Sequence, residues 1–248
     1  MDIRFDGKTA IVTGGASGIG LGTARELAES GATVIIADLT TERSSAAAED
    51  IGHGAIGHET DVTDPDAVEA LVDFAVSETG GLHLMVNNAG GDSPSGPFGD
   101  YPLDGWHQGI DLNLHGVFHG MRFAIPAMQS GGGGAIVNTS SFLGIKGMPM
   151  ASAYVAAKHA VIGITKTAAI DHAADGIRVN AVGPGVIDTP ALNELLDAEA
   201  KAQMAAMLPI GRLGTAAEVA NLICFLLSEQ ASNITGSFHL VDGGLMAQ

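Results

Sequence analysis

The sequence predicts an α/β fold, with a single doubly wound parallel sheet of about seven strands and helices on both faces. Two observations predict it. Short apolar runs rich in β-branched residues recur along the chain and end in Gly, Asn, Asp or Ser, as buried strands do. Helical patterns separate these runs, and strand–helix alternation implies a parallel sheet. Because ligands of such sheets bind beyond the carboxyl ends of the strands, the polar strand ends are where chemistry is expected.

The predicted strands are four to eight residues long and lie within seven stretches. In chain order these are TAIVTGG (9–15), ATVIIAD (32–38), GHGAIGHETDV (52–62), HLMVNNAG (83–90), GAIVNTSS (134–141), IRVNAVGPG (177–185) and SFHLVDGG (237–244). The third stretch contains the weaker strand pattern, and the last comes late in the chain.

Helical patterns fill the gaps between these strands. They cover residues 18–30, 64–79, 103–129, 152–175 and 215–229. The stretches 90–100 and 183–193 read as loops, and SGGGG (130–134) reads as a helix-to-strand turn. With no internal repeat and no low-complexity linker, we expect residues 1–248 to form one dinucleotide-binding and catalytic domain, with a substrate lid around 189–211.

Composition narrows the function classes. The formal net charge is −17, with 11 Lys and Arg against 28 Asp and Glu, which argues against nucleic acid and anionic membrane as partners. There is no apolar run of 18 residues and no charged-then-apolar leader at the N-terminus, so we expect neither a membrane span nor a signal peptide. The single cysteine, Cys224, lies in an apolar helical run and is expected to be buried packing. Together these features predict a cytoplasmic protein.

A glycine-rich turn follows the first predicted strand and opens the first helix. In TGGASGIG, Gly14, Gly18 and Gly20 allow a tight turn and close approach of the backbone to a pyrophosphate. The spacing is G-x-x-x-G-x-G rather than G-x-G-x-x-G. A purely structural turn is the alternative, but the strand–loop–helix context favours phosphate binding.

Asp38 ends the second strand. An acid there can accept hydrogen bonds from the diol of an adenosine ribose and would repel a 2′-phosphate. Neither Leu39 nor Thr40 is an arginine that could hold that phosphate, and Arg43 is further along the chain. The pattern therefore favours NAD over NADP. A helix cap or turn acid is the alternative for Asp38.

The segment YVAAK places Tyr154 and Lys158 one helical turn apart on one face. Such a phenol and ammonium pair can pass a proton near neutral pH if the ammonium lowers the pKa of the phenol. By itself the pair is weak evidence, and an ordinary amphipathic surface with two polar ends reaching water is the more common explanation.

Taken together, these residues resemble the short-chain dehydrogenase/reductase superfamily, from about Asp6 to Gly244, and the resemblance implies the Rossmann form of the predicted fold. The motifs that carry it are TGGASGIG, the pair at 61–62, NNAG (87–90), an asparagine in DLNLHGVF, a serine thirteen residues before the tyrosine, Y-x-x-x-K and GPGVIDT. The resemblance implies four catalytic residues: Asn113, Ser141, Tyr154 and Lys158. It implies cofactor contacts at Gly14, Ser17, Gly18, Ile19, Gly20, Asp38, Leu39, Asp61, Val62, Asn88, Ala89, Gly90, Tyr154, Lys158, Pro184, Gly185, Ile187 and Thr189.

The resemblance also implies a mechanism. Lys158 and the charge of the oxidised nicotinamide would lower the pKa of Tyr154, and Lys158 would bind the nicotinamide ribose. Ser141 would hold and polarise the substrate oxygen, and Asn113 would order a water linked to Lys158. Tyr154 would take the hydroxyl proton while hydride moves to NAD, or the reverse in reduction.

Two histidines are weighed as metal ligands. His115 and His119 have i, i+4 spacing, but no third ligand accompanies them, so we expect no metal site. Met148 and Met150 fit a substrate pocket and ordinary packing equally well.

Three functions compete: an NAD-dependent oxidoreductase of secondary alcohols or ketones, a 3-oxoacyl carrier-protein reductase, and a non-catalytic binding or scaffold protein with this fold. The four catalytic residues argue against the last. The stretches AMQSGGGG and HAADGI, expected beside the active-site mouth, carry Asp175 and no Lys or Arg to dock an acidic carrier.

Apolar residues favour a small, largely apolar substrate. The pocket floor is expected from Leu143, Ile145, Met148 and Met150, and the lid face from Leu192, Leu195, Leu196, Met204, Met207 and Leu208. Packing on the body or a neighbouring subunit is the alternative role for the lid residues. No arginine is placed to clamp a carboxylate.

The chain is also expected to be a homotetramer, as similar family members are. Small or apolar residues line one face of the Tyr154 helix: Ala156, Ala160, Gly163, Thr167 and Ile170. The partner surface would be the same helix and residues 103–127 of another subunit.

Overall fold

The computed structural model describes residues 3–248. Its main sheet contains seven parallel strands in the order β3-β2-β1-β4-β5-β6-β9. The strands are β1 (Thr9–Thr13), β2 (Thr33–Asp38), β3 (Ile56–Glu59), β4 (Leu84–Asn87), β5 (Gly134–Thr139), β6 (Ile177–Pro184) and β9 (Phe238–Val241). Each lies inside one of the seven predicted stretches. The strand order reverses between β1 and β4, which opens a crevice at their carboxyl ends.

Helices cover both faces of the sheet. They are α1 (Gly18–Glu29), α2 (Thr41–Ile51), α3 (Pro65–Thr79), α4 (Leu103–Ile110), α5 (Gly116–Ser130), α6 (Ser152–His172), α7 (Pro190–Leu195), α8 (Ala198–Met207) and α9 (Ala216–Leu227). Within residues 3–248, no helix combines the length and the apolar character needed to cross a bilayer.

Strand residues alternate between two cores. Val12, Ile36 and Val86 point to one face and pack in a cluster with Leu27 of α1 and Ile223 of α9. Their sequence neighbours point the other way.

On the opposite face, Ile11, Ile35 and Met85 share a second cluster with Leu71 of α3 and Val117 of α5. Both faces of the sheet are therefore buried, which explains why its strands are apolar throughout rather than alternating with polar residues.

Three elements differ from the sequence prediction. Helix α2 was not predicted, although Thr40 caps it by accepting a hydrogen bond from the backbone N–H of Arg43. The predicted 103–129 helix is interrupted by a π-helical turn at Asp111–His115. A small two-stranded sheet, which was not predicted, joins β7 (Ile187–Asp188) to β8 (Gly214–Thr215) beside the predicted seven-stranded parallel sheet. Strands of two residues leave almost no hydrophobic pattern to detect.

Candidate active site

The turn from β1 into α1 is shaped for close approach of the backbone to a ligand. Gly14 and Gly18 have φ angles of +60° and +55°, a conformation that residues with side chains rarely adopt. A Cβ on Gly20 would lie 2.1 Å from the carbonyl oxygen of Gly14 and 2.6 Å from the side-chain nitrogen of Asn88. The three predicted glycines therefore leave an open cradle of backbone N–H groups at the start of a helix.

Strand β4 holds this cradle in place. The Asn88 side chain donates to the carbonyl oxygens of Thr13 at 3.1 Å and Gly14 at 3.3 Å. In return, the Thr13 hydroxyl accepts the backbone N–H groups of Asn88 and Ala89 at 3.0 and 3.1 Å. Ser17, the N-cap residue of α1, makes no capping hydrogen bond with its side chain. The cradle is thus formed in the protein alone, before any ligand binds.

Asp38 lies buried beside the cradle at the end of β2. Its Oδ2 accepts the backbone N–H of Ala16 at 3.1 Å, and its Oδ1 accepts that of Leu39 at 3.0 Å. Arg43 also donates through Nε to Oδ1 at 2.7 Å. The sequence interpretation placed Arg43 too far away, and this was wrong. Helix α2 begins only three residues after β2 ends, so its first turn brings Arg43 back to Asp38.

The segment after β3 carries the next predicted pair. Asp61 is exposed, and its Oδ1 accepts from the backbone N–H and hydroxyl of Thr63. Val62 is buried, and its carbonyl oxygen lies 3.0 Å from Nδ1 of His119. A Cβ on Gly116 would lie 2.7 Å from Cγ2 of Val62, so that glycine lets α5 approach this segment.

Polar side chains connect the strands beneath the site. Asn87 Nδ2 donates to Asn138 Oδ1 at 2.8 Å, and Asn138 Nδ2 donates to the Thr165 hydroxyl at 2.9 Å. These bonds tie β4 to β5 and to α6. They hold the strand ends that bear the site residues in fixed register.

Asn113 lies in the π-helical turn, fully buried. Its Nδ2 donates to the carbonyl oxygens of Gly91 at 2.9 Å and Gly109 at 3.1 Å, and its Oδ1 accepts the Gly91 N–H at 3.2 Å. Such turns often mark functional sites, because the extra residue re-aims a side chain. Here the turn fixes Asn113 against the loop after β4.

The four predicted catalytic residues come together at the carboxyl edge of the sheet. A Cβ on Gly90 would lie 3.0 Å from Asn113 Oδ1 and 3.4 Å from Lys158 Nζ, so both side chains flank that glycine. The Lys158 ammonium lies 5.5 Å from the centre of the Tyr154 ring. Ser141 is close enough to the phenol of Tyr154 to lower its pKa. Strand β5 delivers the serine, and one face of α6 delivers the phenol and the amine.

Lys158 is a buried amine with one protein acceptor. Its Nζ donates to the carbonyl oxygen of Thr139 at 3.0 Å. Burial lowers the pKa of Lys158 to about 8, because the low-dielectric interior disfavours the charged form.

Burial raises the pKa of Tyr154, against an opposing effect of the nearby Ser141 side chain, and the charge of Asp92 raises it further. The sequence interpretation expected Lys158 to lower this pKa. That expectation includes the charge of a bound oxidised nicotinamide, so it stays a prediction, and in the chain itself burial is the largest influence on the pKa of Tyr154.

The loop after β6 closes the far side of the crevice. Pro184 ends β6, and the Gly185 N–H donates to the carbonyl of Val241 at 2.9 Å. Ile187 is buried in β7. Thr189 caps α7, and its Cγ2 would lie 3.4 Å from a Cβ on Gly18. This loop therefore reaches the glycine turn across the crevice, while Ile19 of α1 packs into the core below.

Exposed apolar side chains lie in the segments that follow the carboxyl ends of β4, β5 and β6. They include Phe98, Leu103, Ile145, Met148, Met150, Leu195, Met207 and Ile210. Met150 has a φ of +69°, a strained conformation for a residue with a side chain, and its carbonyl accepts the N–H of Gly96. No residue of α7 or α8 is buried, whereas Leu208 after them is. Of the predicted lid residues, Leu195 and Met207 are exposed and Leu208 is buried, and the others, Leu192, Leu196 and Met204, are half-buried.

Two site residues escaped the sequence interpretation. Arg43 could have been found from the capping signal of Thr40, which starts α2 and sets the position of the arginine. Asp92 is an exposed acid two residues after NNAG, and its charge acts on Tyr154. Only its position in the loop after a strand end marked it.

The two weighed histidines have other partners. His115 Nδ1 lies 2.8 Å from Asp111 Oδ1, and His119 Nδ1 lies 3.0 Å from the carbonyl oxygen of Val62. Within residues 3–248 no group of three His, Cys, Asp or Glu side chains is arranged to hold a metal ion.

The cradle and strand ends fit a dinucleotide. The positive φ angles and the missing Cβ atoms leave room for a pyrophosphate against backbone N–H groups, and Asp38 lies beside them. Asn113, Ser141, Tyr154 and Lys158 lie farther along the same edge.

Comparison with known proteins points the same way. Residues 14–246 match the family model described as enoyl-(acyl carrier protein) reductase. The chain is 44% identical to a cyclohexanol dehydrogenase of Acinetobacter sp. (strain SE19), over 98% of this chain and 96% of the relative. It is 46% identical to a cis-4-hydroxycyclohexanecarboxylate dehydrogenase of Sinomonas cyclohexanicum, over 100% of both chains. A solved 7α-hydroxysteroid dehydrogenase in complex with NADH and 7-oxo glycochenodeoxycholic acid superposes with a TM-score of 0.93 at 34% identity, covering 98% of this chain and 96% of that one.

Proposed function

The chain belongs to the short-chain dehydrogenase/reductase superfamily and is an oxidoreductase of alcohols and ketones, and from this premise we propose that it uses NAD to interconvert a small, largely apolar secondary alcohol and its ketone. The observation that carries the proposal is the meeting of Asn113, Ser141, Tyr154 and Lys158 beside an open glycine cradle. A cyclic alcohol is the favoured substrate class, because the relatives named above act on ring alcohols.

Each catalytic side chain has a defined role in this proposal. Tyr154 takes the hydroxyl proton of the alcohol in oxidation and returns it to the carbonyl oxygen in reduction. Ser141 holds the same oxygen. Lys158 binds the cofactor ribose and stabilises the phenolate of Tyr154 by its charge. The bound cofactor supplies the hydride acceptor or donor.

Asn113 acts by position. Its side chain is fully committed to the backbone of Gly91 and Gly109, so it braces the loop after β4 against α4. We propose that its main chain in the π turn orders the water that connects Lys158 to solvent.

The preference for NAD rests on Asp38. Its buried carboxylate lies next to the cradle and can accept hydrogen bonds from the ribose diol. The family member solved with NADH supports a nicotinamide cofactor in general. The cofactor contacts are those predicted from the sequence, with Leu39 exposed where the adenine ring would lie.

We propose that the whole chain is one cofactor-binding and catalytic unit with a lid at 189–211. The exposed apolar rim supports an apolar substrate, because closing the lid would bury Leu195 and Met207 together with it. Ile170 on α6 is 80% exposed, which supports the proposed homotetramer.

The two stretches expected beside the active-site mouth lie elsewhere on the molecule. The two stretches that lack basic residues do meet, since Gln129 Nε2 and His172 Nδ1 both bond Asp175 Oδ2, at 2.7 and 2.9 Å. They lie next to the starts of β5 and β6, at the amino edge of the sheet. Within one chain this surface is therefore not beside the mouth, and it does not bear on carrier docking.

Charge at the mouth gives a better argument. Asp92 is near enough to raise the pKa of Tyr154. A carboxylate on the substrate, or an acidic carrier protein, would meet that negative charge at the same place. A neutral small alcohol avoids the repulsion, which favours it over both alternatives.

A hydride-transfer assay tests the proposal. The purified chain is given NAD or NADP with cyclohexanol, cis-4-hydroxycyclohexanecarboxylate, a 2-hydroxy acid and a polyol, and in the reverse direction with a carrier-bound 3-oxoacyl chain. We expect the highest kcat/KM for cyclohexanol with NAD. A higher value for the acid, the polyol or the carrier-bound chain would refute the substrate class, and equal use of NADP would refute the cofactor assignment.

A further inference from the structure

Three hydrogen-bond donors converge on the carboxylate of Asp38. They are the backbone N–H of Ala16 at 3.1 Å, the backbone N–H of Leu39 at 3.0 Å and Arg43 Nε at 2.7 Å. The Asp38 side chain is 5% exposed, while that of Arg43 is 54% exposed. The three donors form an anion-binding site, and the carboxylate of Asp38 occupies it.

We propose that Arg43 is a cofactor-specificity residue that Asp38 holds in reserve: with the carboxylate present it neutralises Asp38, and with the carboxylate removed it binds the 2′-phosphate of NADP. The inference deepens the proposed function and rests on its nicotinamide site. It makes the preference for NAD a property of the pair, not of Asp38 alone.

The chemistry of the donors supports this role. A carboxylate is planar and a phosphate is tetrahedral, but each presents two oxygens that accept the parallel N–H groups of a guanidinium. Within residues 3–248, the side chain of Arg43 makes a hydrogen bond only through Nε, so its two terminal nitrogens have no protein acceptor. They are the donors that a phosphate at this end of the crevice would use.

Position supports it as well. Asp38 is bonded to Ala16, inside the glycine cradle, so the carboxylate lies where the ribose of a bound adenosine is held. Arg43 approaches the other carboxylate oxygen, Oδ1, from α2, on the solvent side. Removing the carboxylate frees two backbone N–H groups and a guanidinium next to the ribose 2′ position.

A comparison of two small ligands tests the inference without any turnover. Adenosine 5′-monophosphate and adenosine 2′,5′-bisphosphate differ only in the 2′-phosphate. Their dissociation constants are measured by titration calorimetry, at fixed ionic strength, for the full wild-type chain, Asp38→Ala, Arg43→Ala and the double variant. Arg25→Ala, added to Asp38→Ala, is the matched control, because Arg25 makes a comparable pair with Asp50 at 2.6 Å on the surface.

We expect Asp38→Ala to bind the bisphosphate at least about tenfold more tightly than wild type, as a charge-assisted contact does. The gain should fall to about threefold or less in the double variant and should persist in the Arg25 control. Arg43→Ala alone should bind the bisphosphate more weakly than wild type, because an unpaired Asp38 repels it more. Binding of the monophosphate should change by less than about threefold in Arg43→Ala.

An equal gain with and without Arg43 would overturn the inference, because relief of repulsion would then explain everything. Asp38→Asn repeats the cycle with a side chain of the same shape, so poor folding of the alanine variant does not decide the outcome. A wild-type chain that binds neither the monophosphate nor NAD would refute the proposed function itself, and that result is visible before any variant is compared.

Discussion

The two halves of the crevice differ in how far they are built. On the cofactor side, hydrogen bonds join the glycine turn to the residues after β4 and to Asp38, through buried and half-buried residues. On the substrate side, the rim and lid expose large apolar side chains, with Phe98 83% and Leu195 62% exposed. The first half needs no ligand to take its shape. The second half has apolar surface that only a substrate, lid closure or another subunit can cover.

The difference explains why the two halves are not equally readable. A preformed site depends on residue types that geometry requires, such as glycine at positive φ. A site that forms on binding depends on apolar residues that many arrangements satisfy. The sequence therefore predicts the reaction class more precisely than the identity of the substrate.

The largest expected effect lies where the halves meet. Tyr154→Phe keeps the ring and removes the proton carrier, so kcat should fall by about 10²–10⁴-fold. Binding of NAD, measured by titration in the absence of substrate, should stay within about threefold of wild type. A variant that turns over the natural alcohol at the normal rate would remove Tyr154 from the mechanism.

On the cofactor side of the crevice, an added methyl group should lower the affinity for NAD. Gly20→Ala places a Cβ 2.1 Å from the Gly14 carbonyl, so the cradle has to move. Overpacking of this kind costs about 1–3 kcal/mol, and NAD affinity should fall about tenfold to a hundredfold. Gly22→Ala on the same helix is the control, since its Cβ would be 3.5 Å from its nearest neighbour. Equal affinities for the two variants would show that the cradle is not rigid.

The burial of Lys158 should be visible in stability against pH. Its pKa is about 8 in the folded chain, against an ordinary 10.5. Below pH 8 both states carry the proton, and folding bears the full cost of burying the charge, about 3 kcal/mol at about 1.36 kcal/mol per pKa unit. Between these two values the unfolded state holds more protons, so stability rises with pH.

Urea unfolding of wild type and Lys158→Met at pH 7 and pH 9.5 measures this cost. We expect the variant to be more stable at pH 7 and its advantage to shrink at pH 9.5. The variant lacks the hydrogen bond to Thr139 at both pH values. The change in its advantage between pH 7 and pH 9.5 therefore reports the titration of Lys158 in the wild type. An advantage that does not change with pH would contradict the assigned cause.

The smallest effect is expected on the substrate side of the crevice. Leu195→Ala should leave the free energy of unfolding unchanged, because the side chain is exposed. It should raise KM for cyclohexanol by about threefold to tenfold, as partial burial of a leucine implies. Val76→Ala, on an exposed position of α3, is the control and should change neither quantity. A fall in stability without a change in KM would mean that the lid leucine only packs.

Much of the fold was predictable because its signals are local. All seven strands of the main sheet were found from apolar runs, and Tyr154 and Lys158 were placed together by helical spacing alone. Helix α2 was missed because TERSSAAAEDI has few apolar residues to reveal a period. The π turn around Asn113 was missed because one extra residue hardly changes a helical pattern.

The electrostatics were harder to predict than the positions. Burial is the largest influence on the pKa of both Tyr154 and Lys158, and the sequence does not reveal how deeply either is buried. The distance between Arg43 and Asp38 depends on where α2 starts, which spacing along the chain did not reveal. Both features depend on the assembled fold, the pKa values through burial and the ion pair through the position of a helix.

The single cysteine, Cys224, can report how often the packing between α1 and α9 opens. Cys224 is buried in α9, where burial raises its pKa to about 12, and α9 packs on α1, the helix that begins at the glycine cradle. Alkylating reagents attack the thiolate, so they can react only when the α1–α9 packing separates. The labelling rate of the unmodified protein therefore reports how often the two helices separate. A ligand bound at the start of α1 should lower this rate without contacting the sulfur.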